Sequence, residues 1–289
     1  MNYEKWLKNN TSDLCGKLVA VTGTTGGIGK ELCRHLASLG ASLVLVDRNR
    51  ARSEAFANEL EADYSVKVSC ISADLSDIAS VKRAAEELLS MPVDVFIHNA
   101  GAYSIPRETL EIGYDNVFTI NFISPYYIIK KLIPSLRERG GRVVIVGSIA
   151  HNYSRSDPSD VDFSTRKAAS KVYGNAKRYL MYATATLLEQ EGVPCAITHP
   201  GISFTGITAH YPKLIYAIIK YPMKVIFMTP KKASLSVVKG VFCDTGANMW
   251  LGPRIFDVWG IPSLKSLKTA KRDEVERMFA TAEEIYNNL

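Results

Sequence analysis

The chain has 289 residues, 47% hydrophobic and 22% charged, a balance that fits a globular protein and excludes a disordered or fibrous one. Its formal charge of +6 is spread out, with no Lys/Arg tract denser than Arg48-Asn-Arg-Ala-Arg52, so no nucleic-acid partner is implied. Five scattered cysteines (Cys15, Cys33, Cys70, Cys195 and Cys243) form no Cys-x-x-Cys pair, which argues for a reducing compartment and against a disulfide frame or zinc site.

The first ten residues carry no apolar signal-peptide core, so a cytoplasmic location is expected. Leu18 to Thr22 then reads as a first strand, followed by a helix from about Gly27 to Leu39. Ser42 to Asp47 is a second strand, with a helix from about Ala51 to Ala62. Val66 to Ile71 is a third, with a helix after Asp77. Val93 to Ile97 is a fourth, followed by helical stretches near Glu108 and from Asn121 to Arg137. Arg142 to Val146 is a fifth, followed by the helix around Tyr173 and a strand from Pro194 to Thr198. Arg254 to Val258 is expected as a last strand and Lys271 to Asn287 as a C-terminal helix. Near-continuous apolar strands fit a parallel sheet covered on both faces. Strict β/α alternation therefore predicts an α/β fold, a doubly wound, Rossmann-like parallel sheet with right-handed crossovers. No Pro/Gly/Ser-rich linker interrupts it, so residues 1–289 are expected to form one nucleotide-binding domain.

Thr22-Gly-Thr-Thr-Gly-Gly-Ile-Gly29 lies where the first strand turns into a helix. Gly23, Gly27 and Gly29 let backbone approach a pyrophosphate, and the helix N-terminus offers unpaired N–H groups. The spacing is Gly-x-x-x-Gly-x-Gly, not Gly-x-Gly-x-x-Gly, and a phosphate loop fails because Thr24 and Glu31 stand where glycine and Ser/Thr are needed. Asp47 ends the second strand ~20 residues on, where a carboxylate can accept both ribose hydroxyls of an adenosine. It would repel a 2′-phosphate, whereas Arg48 would attract one. The balance favours NAD weakly over NADP. A bland alternative is that Asp47 caps the next helix.

Tyr173 and Lys177 stand four apart on a helix and so share a face. A nearby ammonium favours phenolate and moves a phenol towards the working range of a proton carrier. The spacing is cheap: Tyr126/Lys130, Tyr127/Lys131 and Tyr216/Lys220 share it. Order distinguishes Tyr173, which follows the glycine turn, Asn99-Ala-Gly101 and a strand ending at Ser148, and precedes Pro200-Gly201. His98, His151 and His199 are not spaced for a metal and read as structural, His151 being notable for lying three residues beyond Ser148.

With these pieces in order the chain resembles a short-chain dehydrogenase/reductase from about Gly16 to its end, most similar to the retinol-dehydrogenase-like branch. Asp47 departs from the NADP-using members of that branch. The resemblance implies catalytic roles for Asn121, Ser148, Tyr173 and Lys177: Tyr173 moves the substrate oxygen's proton, Lys177 lowers its pKa and holds the nicotinamide ribose, Ser148 hydrogen-bonds the substrate oxygen, and Asn121 orders a water reaching Lys177. It implies NAD(P) contacts from Thr22, Gly23, Gly27, Ile28, Gly29, Asp47, Arg48, Asp74, Leu75, Asn99, Ala100, Gly101, Tyr173, Lys177, Pro200, Gly201 and Thr205. A homodimer or homotetramer is expected by the same likeness.

Two segments should shape a pocket. The polar insertion Ala150 to Arg166 is expected over its mouth. Residues 202–229 form an expected apolar lid, which points to a bulky hydrophobic alcohol or ketone (steroid, retinoid-like or lipid carbonyl). Within it, 211–228 is too broken by Lys213, Lys220, Lys224, Pro212 and Pro222 to span a bilayer, but suits a lid or peripheral membrane contact. Two other readings stay open: a nicotinamide-binding protein without turnover, and a C=C reductase using the same tyrosine.

Overall fold

Short β-branched runs become strands here, and the central ones are apolar on both sides because both sides are covered. The structure, a computed structural model, describes residues 3–201 and 228–289. Helices and strands are numbered in chain order among those residues. Strands β1 (Leu18–Thr22), β2 (Ser42–Asp47), β3 (Val68–Ser72), β4 (Val95–His98), β5 (Arg142–Val146), β6 (Cys195–Thr198), β7 (Met249–Ile255) and β8 (Trp259–Ser266) form one sheet in the order β3-β2-β1-β4-β5-β6-β7-β8. All neighbours are parallel except β7 and β8, which form an antiparallel hairpin.

Alternate strand residues feed two cores. Ala20, Val44, Phe96, Val143 and Ile145 pack on one face, beneath α4 (Ile78–Leu89), α6 (Ser124–Glu138), α7 (Ala169–Gln190) and α9 (Arg272–Asn287). Val19, Leu43, Leu45, Ile97 and Val144 pack on the other, with α1 (Tyr3–Asn10), α2 (Gly27–Ser38), α3 (Arg50–Tyr64) and α8 (Pro230–Gly240). The period-two alternation of strand side chains makes this division, so the central runs carry no polar face, whereas the edge strands β3 and β8 do. Strand order reverses between β1 and β4, and a crevice at the C-terminal ends of such strands is where open α/β sheets bind ligands.

Three expectations are corrected. No helix forms near Glu108; the chain makes a tight turn there, closed by a bridge between Thr109 and Asp115, with Gly113 at φ +83°. Helix begins only at α5 (Asn116–Phe118), where Asp115 caps it by accepting from Val117 and Phe118 N–H, and runs through a π-helical turn (Thr119–Ile123) into α6. The single strand expected from Arg254 to Val258 is instead the tip of the β7–β8 hairpin. Phe256 and Asp257 take left-handed φ values of +47° and +57°, and Val258 N–H donates to Ile255 O at 3.0 Å. Helices α1 and α8 were not anticipated, although Thr229 followed by Pro230 is a start signal and Thr229 does cap α8.

The expected lid falls almost wholly outside the described residues; of it, Met228 is buried and Thr229 caps α8. No described helix is long and apolar enough to cross a membrane. The 150–166 insertion packs down rather than hanging free. Phe163 is buried with Val117 and Val172, Val161 O accepts from Asn175 Nδ2 at 2.7 Å, and Arg107 donates to the Phe163 and Arg166 carbonyls at 3.0 Å.

Candidate active site

The turn from β1 into α2 is built by close approach. Gly23 has φ +72°, and a Cβ on it would lie 2.8 Å from Ala100 Cα. A Cβ on Gly29 would lie 2.1 Å from Gly23 O. Asn99 Nδ2 donates to both Thr22 O and Gly23 O at 3.0 Å, while Thr22 Oγ1 accepts from Asn99 and Ala100 N–H at 3.1 and 3.0 Å. With those lone pairs used, the Thr22 hydroxyl donates to His98 Nδ1 at 3.0 Å. Thr22, Gly23, Asn99 and Ala100 are thus one unit at the reversal of strand order. Gly26, at the N-cap of α2, makes no side-chain cap, which leaves the first N–H groups of that helix without a side-chain partner. Gly27 and Ile28 open this helix at the mouth of the turn, and such an end suits an anionic pyrophosphate. Gly29→Ala is expected to force the turn open at a cost of about 1–3 kcal/mol, typical of overpacking. Thermal unfolding and dinucleotide binding check this; an unshifted midpoint with unchanged binding would show that the turn has room.

Asp47 is half-buried at the end of β2, and its Oδ2 accepts from Thr25 N–H and Thr25 Oγ1, both at 2.9 Å. It does not cap α3; Asn49 does, accepting from Arg52 N–H at 3.0 Å. The carboxylate therefore faces the glycine turn, and Arg48 beside it is exposed. Asp74 ends the next strand's loop, its Oδ1 accepting from Ser76 N–H and Oγ at 2.9 and 2.6 Å. Leu75 is in the core, its carbonyl held by Ser124 Oγ at 2.7 Å. Gly201 has φ +79° and packs against Met228 and Pro253 just after the buried Pro200, and Thr205 lies outside the described residues.

The proton-transfer candidates converge. Tyr173 and Lys177 lie in the first turns of α7, with Lys177 Nζ 5.8 Å from the Tyr173 ring centroid. Ser148, two residues beyond the end of β5, lies near enough to Tyr173 to influence its phenol, and it caps a 3₁₀ turn (Ile149–Tyr153) by accepting from Ala150 N–H at 3.2 Å. Lys177 Nζ donates to Val146 O at 3.0 Å. Asn121 sits in the π-helical turn, a distortion frequent at functional sites. Its Nδ2 donates to Ala102 O and Val117 O at 2.9 and 2.8 Å, and its Oδ1 accepts from Ala102 N–H at 3.3 Å. Gly101 is the hinge of this cluster, since a Cβ there would meet Asn121 Oδ1 at 2.8 Å and Lys177 Nζ at 3.4 Å.

Burial sets the electrostatics. It pushes the Tyr173 phenol up to about 12, opposed by the nearby Ser148 side chain, and brings Lys177 down to about 7. Desolvation is the largest influence on both groups, and it moves them in opposite directions. Tyr103, which the sequence reading passed over, stands edge-on to Tyr173 at 5.2 Å between centroids and orients that ring. The one signal for it was an aromatic two residues after Gly101.

Beneath Ser148 lies a stack of rings. His151 meets Trp250 edge-on at 5.2 Å, and His199 lies flat on its other side at 5.1 Å. Both histidines are buried, and no group of metal-ligating side chains occurs among the described residues.

The family model described as short chain dehydrogenase matches residues 17–213. An uncharacterized oxidoreductase of Schizosaccharomyces pombe is 30% identical over 240 residues, covering 76% of the chain and 70% of that relative. Retinol dehydrogenase 12 of Mus musculus is 32% identical over 200 residues, covering 67% of the chain and 63% of its own length. An uncharacterized protein from Mycobacterium paratuberculosis has a similar fold, with a TM-score of 0.72, 23% identity and coverage of 96% and 95% of the two chains.

Proposed function

The chain belongs to the short-chain dehydrogenase family of NAD(P)-dependent oxidoreductases, and from that premise we propose that it interconverts a bulky hydrophobic alcohol and its ketone or aldehyde with Tyr173 as proton donor and acceptor. The convergence of Ser148, Tyr173 and Lys177 on one side of the strand-order reversal carries this reading. When bound, the nicotinamide supplies the hydride chemistry. Ser148 donates a hydrogen bond to the substrate oxygen and stabilises the charge that develops on it. Tyr173 gives that oxygen its proton in reduction and takes it back in oxidation. Lys177 holds the nicotinamide ribose, and Asn121 orders a water that links its ammonium to bulk solvent. Thr22 to Gly29 receive the pyrophosphate, Asp47 the adenosine ribose, Asp74 and Leu75 the adenine, Asn99 to Gly101 the nicotinamide side, and Pro200, Gly201 and Thr205 the carboxamide.

A hydrophobic substrate is favoured by the apolar setting of Tyr173, which packs with Ile105 on the Val117, Phe163 and Val172 cluster and against the Tyr103 ring. The likeness to a retinol dehydrogenase points the same way.

Titrating the protein with NADH and NADPH, followed by nicotinamide fluorescence, tests the reading. Binding of either supports it, and screening hydrophobic alcohols and ketones then separates turnover from binding without chemistry. Binding of neither removes it. NAD is the better cofactor on this reading, because the half-buried Asp47 carboxylate repels a 2′-phosphate more closely than the exposed Arg48 attracts it. Asp47→Ala is expected to move the NADP/NAD affinity ratio about 10-fold towards NADP, equal to about 1.4 kcal/mol. An unchanged ratio would mean that Asp47 is not at the ribose.

A further inference from the structure

Arg178 follows Lys177 directly on α7 and is the largest fully buried side chain among the described residues. A guanidinium carries five N–H donors in a rigid planar fork. Here all five have acceptors. Nε and Nη2 form a two-pronged pair with Glu274 of α9, at 2.7 Å each. Nη2 also donates to Thr269 O at 2.6 Å, and Nη1 to Thr269 Oγ1 at 3.4 Å and His151 O at 3.1 Å.

The last contact leads to the proposed active site. His151 belongs to the 3₁₀ turn that Ser148 caps, and both its backbone N–H (3.1 Å) and its ring Nδ1 (2.6 Å) lie against Ser148 O. A carbonyl only accepts, so Nδ1 carries the proton. His151 thus grips Ser148 at the backbone, and Arg178 grips His151. Glu274 extends the hold to the insertion by accepting from Ser156 N–H and Oγ at 2.9 and 3.1 Å. Four separate segments meet at one planar group, which spans the lysine end of the proton-transfer pair and the serine end.

We propose that Arg178, Glu274 and His151 form a positioning relay that fixes the place of Ser148 relative to Tyr173. The proposal rests on the role assigned above to Ser148 and Tyr173. Buried ion pairs contribute little net stability compared with well-packed apolar groups, yet their geometry is demanding. A saturated fork fixes direction as well as distance, which a catalytic serine at the end of a strand cannot obtain from its own short turn. None of the three residues touches the reacting atoms. They act through Ser148, while the glycine turn that receives the dinucleotide lies on the β1 side of β4.

The test is Glu274→Gln, which keeps the side-chain volume and one acceptor, alongside Arg178→Lys, which removes the fork. For each, kcat, KM for the dinucleotide, dinucleotide affinity and amide hydrogen exchange over residues 149–153 are measured. The relay predicts kcat lower by about 10- to 100-fold, as expected for sub-ångström misplacement of a reacting group. It also predicts faster exchange at 149–153, and affinity and KM for the dinucleotide within a few fold. Unchanged kcat in either folded variant overturns the relay. So does a kcat loss matched by an equal loss of dinucleotide-binding sites, which marks general unfolding. If Arg178→Lys does not fold, Glu274→Gln alone decides by the same outcomes. Exchange over 149–153 in the variant judges the hold on the turn even if the protein turns over no alcohol. An inactive wild type with that exchange intact would remove the oxidoreductase assignment of Ser148 and Tyr173, and retained turnover in Tyr173→Phe the acid/base role alone.

Discussion

Tyr173→Phe is expected to lower turnover by about 10²- to 10⁴-fold, the usual contribution of a positioned general acid or base. The variant loses one oxygen and keeps the ring that packs edge-on with Tyr103 and against the apolar cluster of Phe163 and Val172. Stability and dinucleotide affinity should therefore stay within a few fold of wild type, and the loss should fall on kcat. Steady-state kinetics with NADH and NADPH, next to a fluorescence titration, separate the two. Retained turnover would take Tyr173 out of the proton path. Loss of dinucleotide binding would give its hydroxyl a structural task instead.

Mild acid should destabilise the fold more than its carboxylates alone would. Burial lowers His151 and His199 to about 4 each, against an ordinary value of 6.5. For His151 the bond to Ser148 opposes the shift and Arg178 adds to it; for His199 the Asp257 carboxylate and carbonyl oppose it and His151 adds to it. Burial lowers His98 in the same direction. Each folded value lies below the unfolded one, so between pH 6.5 and 4 the unfolded chain binds protons that the folded chain refuses. Stability is present above pH 6.5 and is lost as pH falls through that window. From pH 7 to 5 the loss is about 2 kcal/mol for each of His151 and His199, or about 4 kcal/mol together. The paired carboxylates Glu274 and Asp160, held below their usual range, lose their contribution only at lower pH. Urea unfolding at pH 7 and pH 5 measures this directly, and equal stability at the two values would mean that these rings are not held neutral. Acid should also loosen the turn behind Ser148, because protonated His151 cannot stay buried between Arg178 and Trp250.

The two decoy pairs that can be checked show what spacing leaves undecided. Tyr126 and Lys130 satisfy the same four-residue rule as Tyr173 and Lys177, but both turn to Glu283 of α9: Tyr126 OH donates to its Oε1 at 2.6 Å, and Lys130 Nζ pairs with Oε2. Tyr127 lies 5.4 Å from the Tyr286 ring, with Lys131 over its own ring at 5.6 Å. Tyr216 and Lys220 fall outside the described residues. Spacing on a helix is a local property, whereas the partner of a phenol comes from wherever the chain returns.

The same division runs through the whole molecule. By itself the sequence determined strands β1 to β6, the main helices, the doubly wound class and the glycine turn, because those depend on periodicity and on short-range backbone sterics. It also brought Ser148, Tyr173 and Lys177 into a meaningful order. Only the tertiary structure decided that the 150–166 insertion packs against the start of α7, that the expected last strand is a hairpin tip, and that Tyr103 leans on Tyr173. It alone decided the burial that pushes the Tyr173 phenol up and the Lys177 ammonium down. Arg178 and Glu274 stand 96 residues apart, and each reads as an ordinary charged residue on its own helix. Their meaning lies in a contact between distant segments, where desolvation and hydrogen-bond geometry are set by neighbours that no local pattern names.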